Sequence, residues 1–430
     1  MDTPKSDGEN RPIRFLPWLI WFLAALFYGY GYFQRVATSV MVEDLMHDFA
    51  VGAAVLGNLS AIYYYAYASL QIPVGVLNDR FGPRRILTAA AFLGGSGAVI
   101  FSFAPTIEMA YTGRLLVGIG VAFAWVSSLK LIGIWFAPHR FATMTGLTLV
   151  VGMAGGILAQ APLALAIAEY GWRTSLAASS TAAFILAAAI WFVVRDARTD
   201  VAETPKTRLA DVLRGALPVL ASRQTWCVAL FGMSTTVVAL GFMALWGVPF
   251  LSETYGLDRP SAASVISVGF VGQAFGGVFL GWLSDTIRLR KPPMIGSLIV
   301  MMGLFVLVVY GPTLPLLILN VAMFVMGATS AASIVGFAAV REHAPSAVSG
   351  VTVACVNTFL ISSGAIMQPV AGWILDLYWD GTLIEGVRVY GLDVWMLAFA
   401  PFVAFCTVGL AGSLFIRETH CRPLEEGDAR

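Results

Sequence analysis

Long apolar runs, each ended by a few polar or helix-breaking residues, organise this chain from residue 16 to residue 416. The runs fall at 16–41, 52–77, 86–105, 107–135, 143–168, 172–194, 223–250, 261–284, 292–311, 314–340, 348–377 and 392–416. A bilayer core about 30 Å thick takes roughly 20 apolar residues per helical crossing, so each run is a candidate transmembrane helix. Barrel strands would instead show weak alternation over about ten residues. The expected fold is all-α and membrane-integral, with twelve transmembrane helices. The longest polar interruption, Arg195 to Gln224, follows the sixth run and leaves six runs on either side. The expected units are an N-terminal six-helix bundle over 1–194, a cytoplasmic linker over 195–222, and a C-terminal bundle over 223–430 that ends in a short cytoplasmic tail.

Composition supports a membrane protein. The 430 residues are 58% hydrophobic and 12% charged, about half the charge a soluble domain carries. A net charge of +1 gives no reason to expect nucleic acid or an acidic protein as partner, so only the placement of charge is informative. With the N-terminus inside, about 20 of the Lys and Arg side chains lie on the inner side and about three, Arg173, Arg259 and Arg388, on the outer side. Basic loops stay cytoplasmic, which places both termini there. The polar start MDTPKSDGENRPIR lacks the pattern of a signal peptide. Cys227, Cys355, Cys406 and Cys421 show neither metal spacing nor a disulfide framework, and the first three read as small buried apolar residues.

The halves repeat. "GVLND" at Gly75–Asp79 returns as "GWLSD" at Gly281–Asp285, Pro138 in "FAPHR" returns as Pro345 in "EHAPS", and Pro162 in "AQAP" returns as Pro369 in "IMQP". The offsets are all about 206 to 207 residues and keep one order, the signature of an internal repeat. Two six-helix pseudo-repeats of the same orientation imply bundles that face each other across a central site near the membrane midplane.

The stretch "GVLNDRFGPRR" from Gly75 to Arg85 resembles, position by position, the loop signature of the major facilitator superfamily between its second and third helices. The second copy, "GWLSDTIRLRK", keeps Gly281, Leu283, Asp285 and Arg288. The resemblance implies the superfamily's fold and alternating access. In a turn of about eight residues Gly75 and Gly82 permit close backbone approach, and Arg80, Arg84 and Arg85 hold the loop on the cytoplasmic side. Asp79 is expected to accept hydrogen bonds from a helix N-terminus or an arginine of the facing half, latching the cytoplasmic ends; the alternative is that these charges only set topology.

Ionisable groups inside a span are costly and mark functional sites. Arg35, Arg114 and Lys130 qualify, and no acidic residue lies well inside a span to neutralise them. Three such cations are most easily met by a negative group on a substrate. Helical spacing puts Tyr28, Tyr32 and Arg35 of "YGYGYFQRVATSVM" on one stripe; snorkelling to the outer interface is the alternative for Arg35. That segment resembles the first helix of organophosphate:phosphate antiporters and related organic-anion carriers, which implies that Arg35 binds a substrate anion. "RLLVGIG", headed by Arg114, resembles the superfamily's fourth-helix pattern, where the arginine serves coupling or substrate. Its structural alternative is to satisfy carbonyls of neighbouring helices. Lys130 is about 16 residues further on, nearly the opposite face of a straight helix, and substrate contact, gate contact and snorkelling all stay open for it.

Tyr63, Tyr64, Tyr65 and Tyr67, Trp125, Trp246, Gln273, Asn357 and Gln368 are the neutral candidates to line the cavity. The glycines of "GMAGGILAQAP" read as close helix packing. Phosphate-binding Gly-rich loops, metal-spaced His pairs and nucleophile elbows are missing from the sequence. The expectation is a monomeric transporter, not an enzyme, that needs no cofactor. It would lie in the cell inner membrane and move a small organic anion or zwitterion by exchange or facilitated diffusion. A multidrug exporter would favour an acidic cavity. A non-transporting ligand sensor with this fold would usually add a sizeable soluble domain or tail.

Overall fold

The computed structural model describes residues 15–196, 219–343 and 349–422. Most of the expected linker, and Pro345 of the repeat, lie outside the described residues. Helix α1 (Leu16–Val36) runs into a 3-10 turn (Ala37–Val40) and a short helix α2 (Val42–Phe49). Then come α3 (Ala53–Phe81), α4 (Pro83–Ser102), α5 (Ile107–Val121), α6 (Ala124–Trp135), α7 (Phe141–Leu158) and α8 (Ala161–Val193). The second half holds α9 (Arg223–Val237), a π-helical stretch (Val238–Trp246) and α10 (Gly247–Tyr255). It continues with α11 (Arg259–Ile287), α12 (Lys291–Tyr310), α13 (Leu316–Ser330), α14 (Ser333–His343), α15 (Ser349–Leu377) and α16 (Leu392–Leu414). Between the last two, β1 (Leu383–Ile384) pairs antiparallel with β2 (Val387–Arg388).

Among the described residues, ten helical stretches are long and apolar enough to cross a membrane, or eleven if the bent pair Val42–Phe49 and Ala53–Gln71 is one span. That is one or two fewer than the expected twelve. Two of the expected spans lie in one continuous stretch, Thr143–Val193, which the backbone bends at Gly171 with φ of +77°. Only glycine adopts that conformation without strain.

Two ends of the bundle can be told apart. One carries the basic loop at Arg80–Arg85 and is called the basic end; the other carries the β1–β2 hairpin. At the hairpin end the halves of the chain are tied together. Arg259 at the start of α11 donates to Asp44 at 2.6 Å and to Glu43 at 2.9 Å, both on α2. Helices α3 and α15 lie side by side and antiparallel: a Cβ at Gly57 would collide with the Gln368 carbonyl, and one at Gly372 with that of Ala53. Close approach also joins α1 to α7, where a Cβ at Gly155 would overlap the Gly29 carbonyl oxygen. The glycine-rich α7 therefore serves packing, as small residues do between membrane helices.

Candidate functional site

Arg35 sits in the last turn of α1 and is only 4% exposed. It does not snorkel. Its guanidinium lies 4.5 Å from the Tyr32 ring centre, 5.3 Å from Tyr67 and 5.7 Å from Tyr63. Tyr63 and Tyr67, one turn apart on α3, stack with centres 6.3 Å apart and planes inclined at 14°. Tyr28 packs edge-on against Tyr32 at 5.3 Å and tilted against Trp125 at 4.9 Å. The stripe read from the sequence, together with Tyr67 and Trp125, is thus one aromatic cage around a cation. Tyr65 is 45% exposed and points away from it.

Arg114, on α5, is fully buried. One guanidinium nitrogen, Nη1, donates to the Gln34 carbonyl at 2.7 Å. That carbonyl belongs to the residue preceding Arg35, near the end of α1 where the winding changes to a 3-10 turn. Its guanidinium lies 5.3 Å from the centre of the Tyr63 ring, so the two arginines share one tyrosine. Tyr63 is held by its hydroxyl, which donates to the Gly31 carbonyl at 3.0 Å. Sequence reading named the tyrosine run on α3 without singling out Tyr63. Its four-residue spacing from Tyr67 was the available signal.

Among the described residues no carboxylate pairs with either arginine, and Arg35 Nε, Arg114 Nε and Arg114 Nη2 have no hydrogen-bond partner. A cation over a ring gains about 0.5–2 kcal/mol, whereas taking an ion out of water costs several. The rings therefore do not offset burial, and the guanidiniums lack a negative partner.

Lys130 departs from the expectation of an unpartnered cation. Its ammonium donates to Asp79 Oδ1 and to the Asn78 carbonyl, each at 2.8 Å. It belongs to the basic end. Among the described residues the printed partner of the Asp79 carboxylate is therefore in its own half.

Gly75 has nothing within 4 Å of where a Cβ would stand, so the expected close approach is not made there. Gly82 does the turning with φ of +79°, and the Asp196 carboxylate sits against it and accepts from the Arg84 N–H at 2.6 Å. Arg84 itself covers Trp191 at 4.5 Å, while Arg80 lies over Phe81 at 5.3 Å and Arg85 is exposed. In the second copy Asp285 pairs with Arg290 at 2.6 Å. Arg288, which the second copy of the motif retains, is the left-handed C-cap of α11 with φ of +54°. Arg290 also pairs with Glu342 at 2.6 Å.

Trp246 and Gln368 belong to the core instead of the cage. The Trp246 indole donates to the Gln368 carbonyl at 3.0 Å, and the Gln368 amide donates to the Leu240 carbonyl at 2.6 Å, fastening the π-helical stretch to α15. Asn357 donates to Gln71 at 3.1 Å, a contact from α15 to α3. Gln273 is half-buried on α11. Glu253 and Asp376, which hydropathy left at span edges, are also half-buried; Glu253 accepts from the Trp395 indole at 2.9 Å.

The chain is 23% identical to an uncharacterized transporter of Bacillus subtilis (strain 168), over 62% of this chain and 65% of that protein. It is 20% identical to a probable galactarate/D-glucarate transporter of Escherichia coli (strain K12), over 87% of this chain and 91% of that one. Among solved structures, a bacterial homolog of the human lysosomal transporter Spinster, in an inward-facing and unoccupied conformation, superposes with a TM-score of 0.78. That match has 16% identity and covers 93% of this chain and 97% of that one. Fold and relatives are those of secondary transporters, not of catalysts. The family profile described as Major Facilitator Superfamily matches residues 20–359 and 232–428, and the chain accordingly belongs to that superfamily of alternating-access membrane transporters.

Proposed function

We propose that the protein moves a small organic anion, with Arg35 as the primary ligand of the negative group and Arg114 as the second cation of the site. The observation that carries this reading is the pair of buried guanidiniums around Tyr63, without an acidic partner among the described residues. Galactarate and glucarate, named for the Escherichia coli relative, are carboxylates that such a site would accept. A cation exporter is disfavoured because the cage holds positive charge.

The architecture proposed is twelve crossings, in units over 1–194 and 223–430, with both termini cytoplasmic in the cell inner membrane and a monomer as the working unit. Dividing Thr143–Val193 at Gly171 and counting the bent pair as a span supports twelve. The basic end is then cytoplasmic. Ion pairs close the hairpin end, so the conformation is outward-closed.

A thermal-shift screen of purified protein against carboxylates, phosphates and sulfonates tests the site. A hit is expected that stabilises the wild type and loses its effect in Arg35→Ala. A hit that survives in Arg35→Ala, or stabilisation by organic cations alone, would overturn the assignment. Coupling is a separate prediction. Without a titratable acid in the cage, a pH gradient alone should drive little accumulation in sealed proteoliposomes, whereas preloaded ligand should accelerate uptake of labelled ligand. Strong accumulation driven by pH alone would contradict exchange or facilitated diffusion.

A further inference from the structure

The antiparallel contact of α3 with α15 brings the start of each helix to the end of the other. At the hairpin end, Asp376 lies in the last turn of α15 and faces the start of α3. Its Oδ1 accepts the Ala53 N–H at 3.0 Å, and its Oδ2 accepts the Ala54 N–H at 2.9 Å. Both are first-turn donors, which have no partner within their own helix. The N-cap residue of α3 is Gly52, which has no side chain to do this work. A Cβ at Gly52 would collide with the Asp376 carboxylate, so the space of a local cap is occupied by the other half of the chain. Arg388 of β2, at 3.0 Å, and the Tyr390 hydroxyl, at 2.9 Å, hold the same carboxylate in place.

We propose that Asp376 is a gating residue: a carboxylate carried by one half that caps a helix of the other half and holds the hairpin end shut. It does at this end what the loop motif led us to expect of Asp79 at the basic end. The hairpin, through Arg388 and Tyr390, keeps the carboxylate aimed at α3. Opening the hairpin end parts α15 from α3, strips two backbone N–H groups of a charged acceptor and leaves Asp376 with Arg388 and Tyr390 alone. The cost of breaking those charge-assisted bonds weights the conformational equilibrium toward closure. Nothing in this mechanism depends on which solute is carried, so it stands or falls apart from the anion reading.

Spin labels at Glu169→Cys and Asp258→Cys, exposed positions at the hairpin end of each half, report opening in a background without the four native cysteines. Asp376→Asn places an amide N–H where the Ala54 N–H needs an acceptor. The ratio of long to short inter-label distances is expected to rise about tenfold, the scale of losing a helix cap. Gly52→Ser is the second variant. Serine is a good N-cap residue and supports α3 itself, yet it evicts the Asp376 carboxylate, so this variant should fold and still shift the ratio in the same direction. An unchanged ratio in Gly52→Ser, or a lowered melting point in Asp376→Asn without a change in distances, would reduce Asp376 to a structural role and overturn the proposal.

Discussion

Methionine in place of Arg35 is expected to raise the thermal midpoint of the ligand-free protein while abolishing transport. The two effects have opposite signs because one guanidinium causes both. Without a substrate it is a buried charge surrounded by rings, with Nε unpartnered. Replacing even a buried ion pair by apolar side chains of similar volume is often neutral or stabilising by about 1–4 kcal/mol, and this charge has no ionic partner among the described residues. With an anion bound, the same guanidinium forms a desolvated ion pair. Breaking a pair of that kind costs about 3–5 kcal/mol, or about two to four orders of magnitude in affinity. Differential scanning fluorimetry with and without ligand, beside uptake into proteoliposomes, reads both effects. Arg35→Lys keeps the charge but loses the planar fork, and should recover part of the binding and little of the stability gain. If Arg35→Met lowers the midpoint of the ligand-free protein, the arginine has a stabilising partner and the argument from an unmet charge fails.

Valine at Gly155 should have a large effect on folding. The Gly29 carbonyl occupies the space that any side chain at 155 would enter, and it is backbone, which cannot rotate aside. Separating α1 from α7 there would disturb the helix that carries Tyr28, Tyr32 and Arg35. Overpacking costs typically about 1–3 kcal/mol and more where backbone must move, so we expect a loss of about 3 kcal/mol or more. Yield of monodisperse protein after detergent extraction, and its thermal midpoint, give the measurement. Gly146→Val on the same helix is the control, because nothing lies within 4 Å of a Cβ there. Equal behaviour of the two variants would show that the interface yields.

These contrasts mark how far sequence reading reached. Hydropathy located the helices because lipid demands apolar length, and it located Arg35 because a charge inside such a run is conspicuous. The Tyr28–Tyr32–Arg35 stripe was legible since three- and four-residue spacings stay on one face of any helix. Partners set by tertiary contact were not. Lys130 and Asp79 are 51 residues apart, and neither lies within a period that could announce the other. Asp285 meets Arg290 across a left-handed turn at Arg288, which no hydropathy pattern encodes. Asp376 stands in the sequence as one charge at the end of the run 348–377. Its role comes from a glycine over three hundred residues earlier, at position 52, which leaves room for it.

The π-helical stretch from Val238 to Trp246 gives the helical stretch Arg223–Tyr255 slack. A wider coil advances less per residue, so rewinding those nine residues as an ordinary α-helix would push α10 outward like a screw and rotate it at the same time. Such a movement would stretch the Gln368 amide away from the Leu240 carbonyl, and α15 would feel the displacement before any covalent geometry was strained. A length change in one helix would thereby reach its neighbour as a pull on a single residue, Gln368, gripped through its side-chain amide and its carbonyl.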